Sequence, residues 1–594
     1  MASSATARTT VGRPPGTARP LDALRCETGG PEPLTRVVSD HLRRLGATVR
    51  EGAPRDITLG GGGFAPLTAR TAWGAAGSGI EDEATAQAVT GVMAVHGRRH
   101  GVPRGLAVDW LATATGVLTV QGLLAGLVGQ ARGLPPVRVR TTADRAGLLT
   151  VSQYLAAAGA DEPEAVEPAP GGPPFTSADG VLFELETLDP GAWAAFWRAL
   201  EAPADAVRTG WRPFQFRYAT ACAPFPAALH EVTRRQAWAG IRQAAALSGA
   251  EVCRLRTLAE RAGEDDGADP WSLRTLGPGR PASAAAGTAA RPLAGLTVLE
   301  AGRRIQAPLA AHLLGLLGAR VIRIEPPGGD PLRGMPPACD GISARWLALN
   351  RGKEAVEIDI KASADRGRLR ELVAGADVFL HNWAPGKAAE LELDAEHLTG
   401  VNPSLVYAYT GGWAGRIADA PMGTDFMVQA RTGVGEAVHP AGEPPVPSLM
   451  TLLDVLGGLH GAEAVLAGLL LRERTGHGVR VDSSLLGAAD TLLAPALRRA
   501  ATGTGHRRPA GFRRPLRTSD GWIAPADASA PAAAAHDVTG LCTEDALDRL
   551  RGRGLTVTAV TTDLSALHHD PRLSGPIGRD AHGAPVVPDP WSLA

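Results

Sequence analysis

From Leu296 onward the apolar positions of the chain switch between two periods. Short β-branched runs at Leu296–Glu300, Ala319–Glu325, Ala355–Ile360, Asp377–Asn382 and Leu405–Thr410 predict strands, and the stretches near Leu309–Leu317 and Arg366–Ala374 predict helices between them. Strands alternating with helices imply a parallel sheet with crossover connections, hence an α/β fold whose ligands gather at the carboxyl ends of the strands. Two longer apolar stretches, Leu111–Val128 and Val455–Leu471, approach the length of a membrane span. Both contain many Gly, Ala and Thr residues and one polar residue each, Gln121 and Glu463, so both read as core helices and no membrane contact is expected.

The pattern occurs twice. Gln87-Ala-Val-Thr-Gly-Val92 returns as Gln429-Ala-Arg-Thr-Gly-Val434, an offset of 342, and the same offset carries Leu124-Ala-Gly-Leu127 onto Leu466-Ala-Gly-Leu469. An offset of 341 carries the turn at Asp179-Gly180 onto Asp520-Gly521. Upstream, the shared Leu-Gly-Ala-x-Val at residues 45 and 317 stands at an offset of only 272, so the first copy lacks about seventy residues (342 minus 272) that the second keeps. Val252 and Val557, 305 apart, indicate a later trimming of the second copy. Residues 263–291, rich in Gly, Pro and Ala, show no usable period and read as a linker. The expected organisation is a leader at 1–20, a degenerate copy at 21–262, the linker, and a near-complete copy at 292–594.

Composition narrows the function. With 594 residues the chain exceeds the usual size of one core, and 60 Lys+Arg against 61 Asp+Glu leave a net charge of -1, which offers no field for nucleic acid or an anionic membrane. The five cysteines are scattered without C-x-x-C spacing, against a disulfide framework or a zinc site, so a reducing, cytoplasmic setting and no metal are expected. The first twenty residues are small and polar with no apolar h-region and read as a disordered leader.

The predicted strand ends carry candidate chemistry: Arg303, Arg304, Gln306, Glu325 and Asn382-Trp383, with the loop Asn350-Arg351-Gly352-Lys353 nearby. Arg351 and Lys353 beside a glycine suit phosphates, and Trp383 offers a face to an adenine ring. Any one of these is ordinarily a solvated or structural feature. Their convergence on one sheet edge is what points to a ligand. Asp454 opens the second long apolar stretch, and a carboxylate there caps the helix or serves a function, because burying it unpaired is costly.

Read in order, Pro292–Glu300, Leu317–Asp330, Asn350-Arg-Gly-Lys353, Asn382-Trp-Ala-Pro-Gly386, Asn402–Tyr407 and Arg474–Asp482 resemble the successive signatures of the family III CoA-transferases, over about residues 292–490. The resemblance implies a Rossmann-like parallel sheet that binds CoA, a smaller α+β domain over the site, and two copies interlocked like links, here internally duplicated in one chain. It implies coenzyme A or acyl-CoA as substrate, with Arg304, Gln306, Arg351, Lys353, Asn382 and Trp383 as binding residues. Asp454 in Asp454-Val-Leu-Gly-Gly458-Leu459 matches the family's catalytic aspartate, which attacks an acyl-CoA thioester to give a mixed anhydride and then an aspartyl-CoA thioester open to a carboxylic acid acceptor. Backbone N–H groups at Gly457 and Gly458 are candidate donors to the developing oxyanion. The chain departs from the family at Arg303-Arg-Ile-Gln-Ala-Pro308, where many relatives read Arg-Val-x-Ala-Gly-Pro.

Members that racemise 2-methylacyl-CoA use a His-Asp pair where this chain has Thr424-Asp425. Threonine is no base near neutral pH, so racemisation loses a partner, and Asp425 stands as a second catalytic candidate for positioning or charge control. Racemase or isomerase chemistry is the second reading, with His439 and His460 as conceivable bases, and a non-catalytic CoA-binding scaffold is the third. The offset of 342 carries Asp454 to Ala112, so the first copy is expected to be inert and to pack on the active one as a pseudo-dimer. Association of whole chains is left open.

Overall fold

The computed structural model describes residues 19–594 except 53–54, 165, 265, 280–286 and 503–504. The expected leader therefore lies outside the described residues, save its last two. Seven strands form the C-terminal sheet in the order Glu354–Glu357, Arg320–Glu325, Thr297–Ala301, Val378–His381, Val406–Gly411, His477–Ser484 and Trp271–Pro278. The first six are mutually parallel, as the strand and helix periods require, and the last runs antiparallel. The N-terminal sheet has six strands, Thr48–Glu51, Leu24–Thr28, Ile57–Gly61, Phe64–Ala72, Arg138–Thr142 and Trp591–Leu593. Each copy adds a small α+β unit. Phe175–Thr176, Leu182–Glu186 and Glu251–Arg254 pair antiparallel in the first, and Leu516–Arg517, Trp522–Pro525 and Val557–Ala559 in the second.

The two outermost strands are exchanged. Trp271–Pro278, which follows the first copy in sequence, pairs with His477–Ser484 of the second copy; Trp591–Leu593, at the end of the second copy, pairs with Arg138–Thr142 of the first. Both open on Asp-Pro-Trp-Ser-Leu, at 269–273 and 589–593. The reading of 263–291 as a linker is thus corrected: an edge strand lies inside it. Its alternation, Trp271-Ser-Leu273-Arg, lasts only four residues before Thr275 breaks it, and it stands within a stretch rich in Gly, Pro and Ala. The duplicated pentapeptide was the available signal.

The two long apolar stretches form the helices Trp110–Ala131 and Leu452–Thr475, buried almost throughout and packed on each other at the centre of the molecule. Their polar residues reach partners across the junction. Gln121 Nε2 donates to the Leu459 carbonyl at 2.7 Å, and Glu463 meets His41 Nδ1 at 3.0 Å. Helix Gln306–Leu316 packs against Leu452–Thr475 at Gly457 and Gly458, where a Cβ would stand 2.8 Å from Gln306 Nε2 and 2.9 Å from the Gln306 carbonyl. Only glycine admits this approach.

Candidate active site

The first turn of Leu452–Thr475 has N–H groups without intrahelical partners, and a carboxylate from another helix meets them. Asp425, at the start of Asp425–Thr432, accepts from the Asp454 N–H at 2.8 Å and from that of Leu453. Gln429, one turn on, donates to Asp425 Oδ1 at 2.5 Å, and its amide is itself held by the main-chain N–H and carbonyl of Ser448, both at 2.9 Å. With capping supplied by Asp425, the Asp454 carboxylate has no hydrogen-bond partner among the described residues and faces a large cavity. The helix is entered through Thr451 at φ 53°, and the facing loop turns through Arg304 at φ 61°. Left-handed backbone at two non-glycine residues costs about 1–2 kcal/mol each and concentrates at working sites.

Burial, then the negative charge of Asp425, pushes the Asp454 carboxyl up to about 8, with Arg304 acting in the opposite direction. Burial pushes Asp425 up to about 6, against the stabilising donors Gln429, Asp454 N–H and Leu453 N–H. Charge on Asp425 thus raises the Asp454 carboxyl beyond what burial alone would do.

The cavity, of about 2130 Å³, runs from Asp454 along the carboxyl ends of the C-terminal sheet. Gln306 reaches the Gly411 carbonyl at 3.4 Å beside Asp454, and the Arg304 guanidinium lies 5.4 Å from the ring of Tyr218. Further out, Asn382 clasps the main chain of Arg303, accepting its N–H at 2.8 Å and donating to its carbonyl at 3.0 Å. Trp383 sits beside it, its ring 4.8 Å from His381. Arg304, Gln306, Asn382, Trp383, Asp425 and Asp454 are therefore brought together on one cavity.

Arg351 and Lys353 are not, and the reading of them as phosphate ligands is corrected. Lys353 has a side chain 3 % exposed and donates to Glu300, the Pro308 carbonyl and Asn350 Oδ1, each at 2.8 Å. Burial pulls its ammonium down to about 8 although Glu300 favours the charge. Arg351 turns to the Ala348 carbonyl at 3.2 Å, and neither residue lines the cavity. A Gly-flanked pair of cations reads alike as a phosphate loop or as the counter-charge of a buried glutamate; only the position of Glu300 distinguishes them. Gly457 and Gly458 lie inside the helix, where their N–H groups serve the helical ladder, so they provide packing and not an oxyanion hole.

Sequence reasoning missed the contribution of the first copy. Glu186, Tyr218 and Glu251 line the cavity from its small unit. Glu186 accepts the Thr424 hydroxyl at 2.8 Å and pairs with Arg217 at 3.0 Å. No spacing along the chain announces a wall supplied from over two hundred residues away. Arg303 and Lys361 also line the cavity without an ion-pair partner among the described residues. His439 and His460 do not line it: His439 bonds the Val446 carbonyl, and His460 is buried against His41 and Trp271. The one histidine in the lining, His381, is bonded to the Tyr407 hydroxyl at 2.7 Å and pushed by burial down to about 3. Outside the cavity, His41, His460 and Glu463 bring ligand-type atoms within 4.8 Å of one another.

The first copy repeats the clamp without a counterpart of the Asp454 carboxylate. Glu83 accepts from the N–H groups of Leu111 and Ala112 at 2.8 Å each, Gln87 donates to Glu83 at 2.8 Å, and the Leu106 N–H donates to Gln87 at 2.8 Å. These are Asp425, Leu453, Asp454, Gln429 and Ser448 displaced by 342. Ala112 thus occupies the place of Asp454. Nearby, the buried Arg513 binds the carbonyls of Leu106 and Val108 and the carboxylates of Asp109 and Asp527.

A duplicated α/β architecture with one carboxylate poised over a strand-end cavity defines the class. The profile described as CoA-transferase family III matches residues 48–270 and 293–554. The chain belongs to CoA-transferase family III. Among curated proteins it is 35 % identical over 219 residues to the succinyl-CoA:glutarate CoA-transferase of Mus musculus, covering 36 % of this chain and 49 % of that protein. It is likewise 35 % identical over 210 residues to the acetyl-CoA:oxalate CoA-transferase of Acetobacter aceti, covering 35 % and 54 %. The chain thus spans about half the length of these relatives. A solved CAIB/BAIF family protein from Brucella suis aligns with 26 % identity and a TM-score of 0.43, over 50 % of this chain and 94 % of that one.

Proposed function

We propose that the chain is an acyl-CoA:carboxylate CoA-transferase with one active site, carried by the second copy and centred on Asp454. The observation that carries this reading is a carboxylate left without a hydrogen-bond partner among the described residues at a capped helix start, facing the cavity that also holds Arg304, Gln306, Asn382 and Trp383. Asp454, once ionised, attacks the thioester carbonyl of the donor. The carbon–sulfur bond breaks, leaving an aspartyl mixed anhydride and CoA thiolate. The thiolate attacks the aspartyl carbonyl, releases the donor acid and forms an aspartyl-CoA thioester. The acceptor carboxylate then repeats the sequence in reverse, and the new acyl-CoA leaves with Asp454 regenerated. Arg304 is the cation beside Asp454 that offsets negative charge as it develops, and Gln306 supplies an amide at the same wall. Arg303 and Lys361 take over the phosphate-facing role once assigned to Arg351 and Lys353, and Trp383 keeps that of an adenine partner. Two-base racemisation would need an imidazole where the chain has Thr424, whose hydroxyl is tied to Glu186. All five cysteines are free thiols, in keeping with a cytoplasmic enzyme.

The test is a panel of acyl-CoA donors and carboxylic acid acceptors, read by mass spectrometry in deuterated buffer, for the parent and Asp454→Asn. Transfer predicts new CoA esters from the parent and a loss of at least about a thousandfold in the variant, with CoA affinity retained. Alpha-deuteration without a new ester would replace transferase by racemase chemistry.

A further inference from the structure

The first copy has lost its nucleophile, yet it touches the supports of Asp454 at two points. From one side, Glu186 accepts the hydroxyl of Thr424, the residue immediately before Asp425, at 2.8 Å. From the other, His96 Nδ1 lies 3.0 Å from the Ser448 hydroxyl. Ser448 grips the Gln429 amide through both main-chain groups, Gln429 binds Asp425, and Asp425 binds the N–H of Asp454. Through Ser448, whose hydroxyl meets His96 and whose main chain holds Gln429, a run of contacts thus leads from a buried imidazole of the first copy to the Asp454 N–H of the second. His96 is held neutral by burial among His100, His439, Arg99 and Arg104, with Glu443 beyond His439, so it meets Ser448 as an uncharged partner.

The duplication provides an internal control. Displaced by 342, Ser448 becomes Leu106, Asp454 becomes Ala112, and His96 becomes Val438. The inert helix start keeps the inner clamp of Glu83 and Gln87, which any helix of this kind needs to satisfy its first N–H groups. It has lost the hydroxyl and the imidazole together with the nucleophile. A bond that merely glued the copies would be as useful on one side of the junction as on the other. This one is present only where a carboxylate is aimed.

We propose that His96, through Ser448, and Glu186, through Thr424, are positioning residues for Asp454, so that the inert copy is a working part of the second copy's site. The inference rests on Asp454 being the nucleophile. Gln429 is fixed in plane by two bonds to Ser448, and a shift of Ser448 rotates the amide away from Asp425 and releases the helix start. Tolerances at a reacting carboxylate are about 0.5 Å, so a small loosening is costly in turnover without touching the CoA contacts.

The experiment compares Ser448→Ala, His96→Val, Thr424→Val and the conservative Ser448→Thr with the parent in steady-state transfer, together with CoA binding and the pH profile of kcat. Expected for the first three is a fall in kcat of about tenfold or more, with KM for acyl-CoA within about twofold and CoA affinity unchanged. The alkaline rise of kcat should move to lower pH, because Asp425, deprived of a donor, holds its proton longer and repels Asp454 less. Ser448→Thr should recover most of the loss. Parental kcat and pH profile in Ser448→Ala and His96→Val overturn the proposal, as does a Ser448→Ala variant whose losses of stability, CoA binding and kcat run together. Ser448→Ala deletes a single oxygen, which keeps the test available if His96→Val does not fold. An active Asp454→Asn would fail the functional reading itself; an inactive Asp454→Asn beside a parental Ser448→Ala fails this inference alone.

Discussion

Asp454 works against the stability of the fold that holds it. Its carboxyl titrates near 8 in the folded chain, whereas an unfolded aspartate ionises near pH 4. Between these values the folded state keeps a proton that the unfolded state has released. The stabilising contribution is therefore full below about pH 4 and lost as pH rises through 8. On the proposed mechanism the transfer rate should behave oppositely, kcat/KM climbing toward pH 8 as Asp454 ionises. Asp454→Asn, which cannot ionise, should melt higher than the parent, by a margin that widens from pH 5 to pH 9 in a calorimetric series; parallel melting curves would refute the assignment of the high-pH group. Lys353 gives the complementary case. Because the buried Glu300 would keep Arg323 as a partner, Lys353→Met should lower stability by about 1–3 kcal/mol while leaving the CoA affinity of the folded fraction unchanged. A selective loss of CoA affinity would restore it to the binding site. Asp454 was legible in the sequence because a charged residue at the head of an apolar helix stands out at once. The pairing of Lys353 with Glu300 was not, since fifty-three residues separate them and charge alone does not say which partner a cation meets.

At the level of elements, the offset of 342 was readable because it spans rigid helices and tight turns, where an insertion would displace a buried face. It holds down to single hydrogen bonds at the two helix starts. The exchanged strand at Trp271–Pro278 escaped because its short alternation is set in a stretch rich in Gly, Pro and Ala. The inert helix start is also more than a site missing one residue. Arg513 is 2 % exposed and joins two carbonyls to Asp109 and Asp527, and Glu83 is already pushed by burial to about 7. Ala112→Asp should therefore create no second active site. It places another carboxyl beside Glu83 and Asp109 in a space closed by Arg513, and a drop in melting temperature without added transfer activity is the expected result. A doubling of active sites per chain, counted by a burst of CoA release, would contradict it.

The whole molecule is held closed by the two exchanged strands and the central helix pair. Trp591 carries its ring into the first copy, where Nε1 donates to the Leu118 carbonyl at 2.7 Å, and Trp271 packs its ring against His41 and His460 across the same junction. Neither sheet is complete without residues from the other copy. The cavity wall is shared as well, with Ser272 and Arg274 on the exchanged strand and Glu186 and Tyr218 from the small unit of the first copy. Independent halves would expose the apolar faces of Trp110–Ala131 and Leu452–Thr475, which are buried here and as long and apolar as membrane spans. Residues 292–594 expressed alone should accordingly be insoluble or inactive, and residues 19–291 supplied with them should restore both solubility and transfer. Calorimetric titration of the intact chain with CoA should give one site. Full activity from 292–594 alone would show that the exchange is dispensable, and two CoA sites per chain would show that the first copy still binds ligand. The design also gives a reason why the first copy is retained: deleting it removes an edge strand, half of the central helix pair and one wall of the cavity that Asp454 faces.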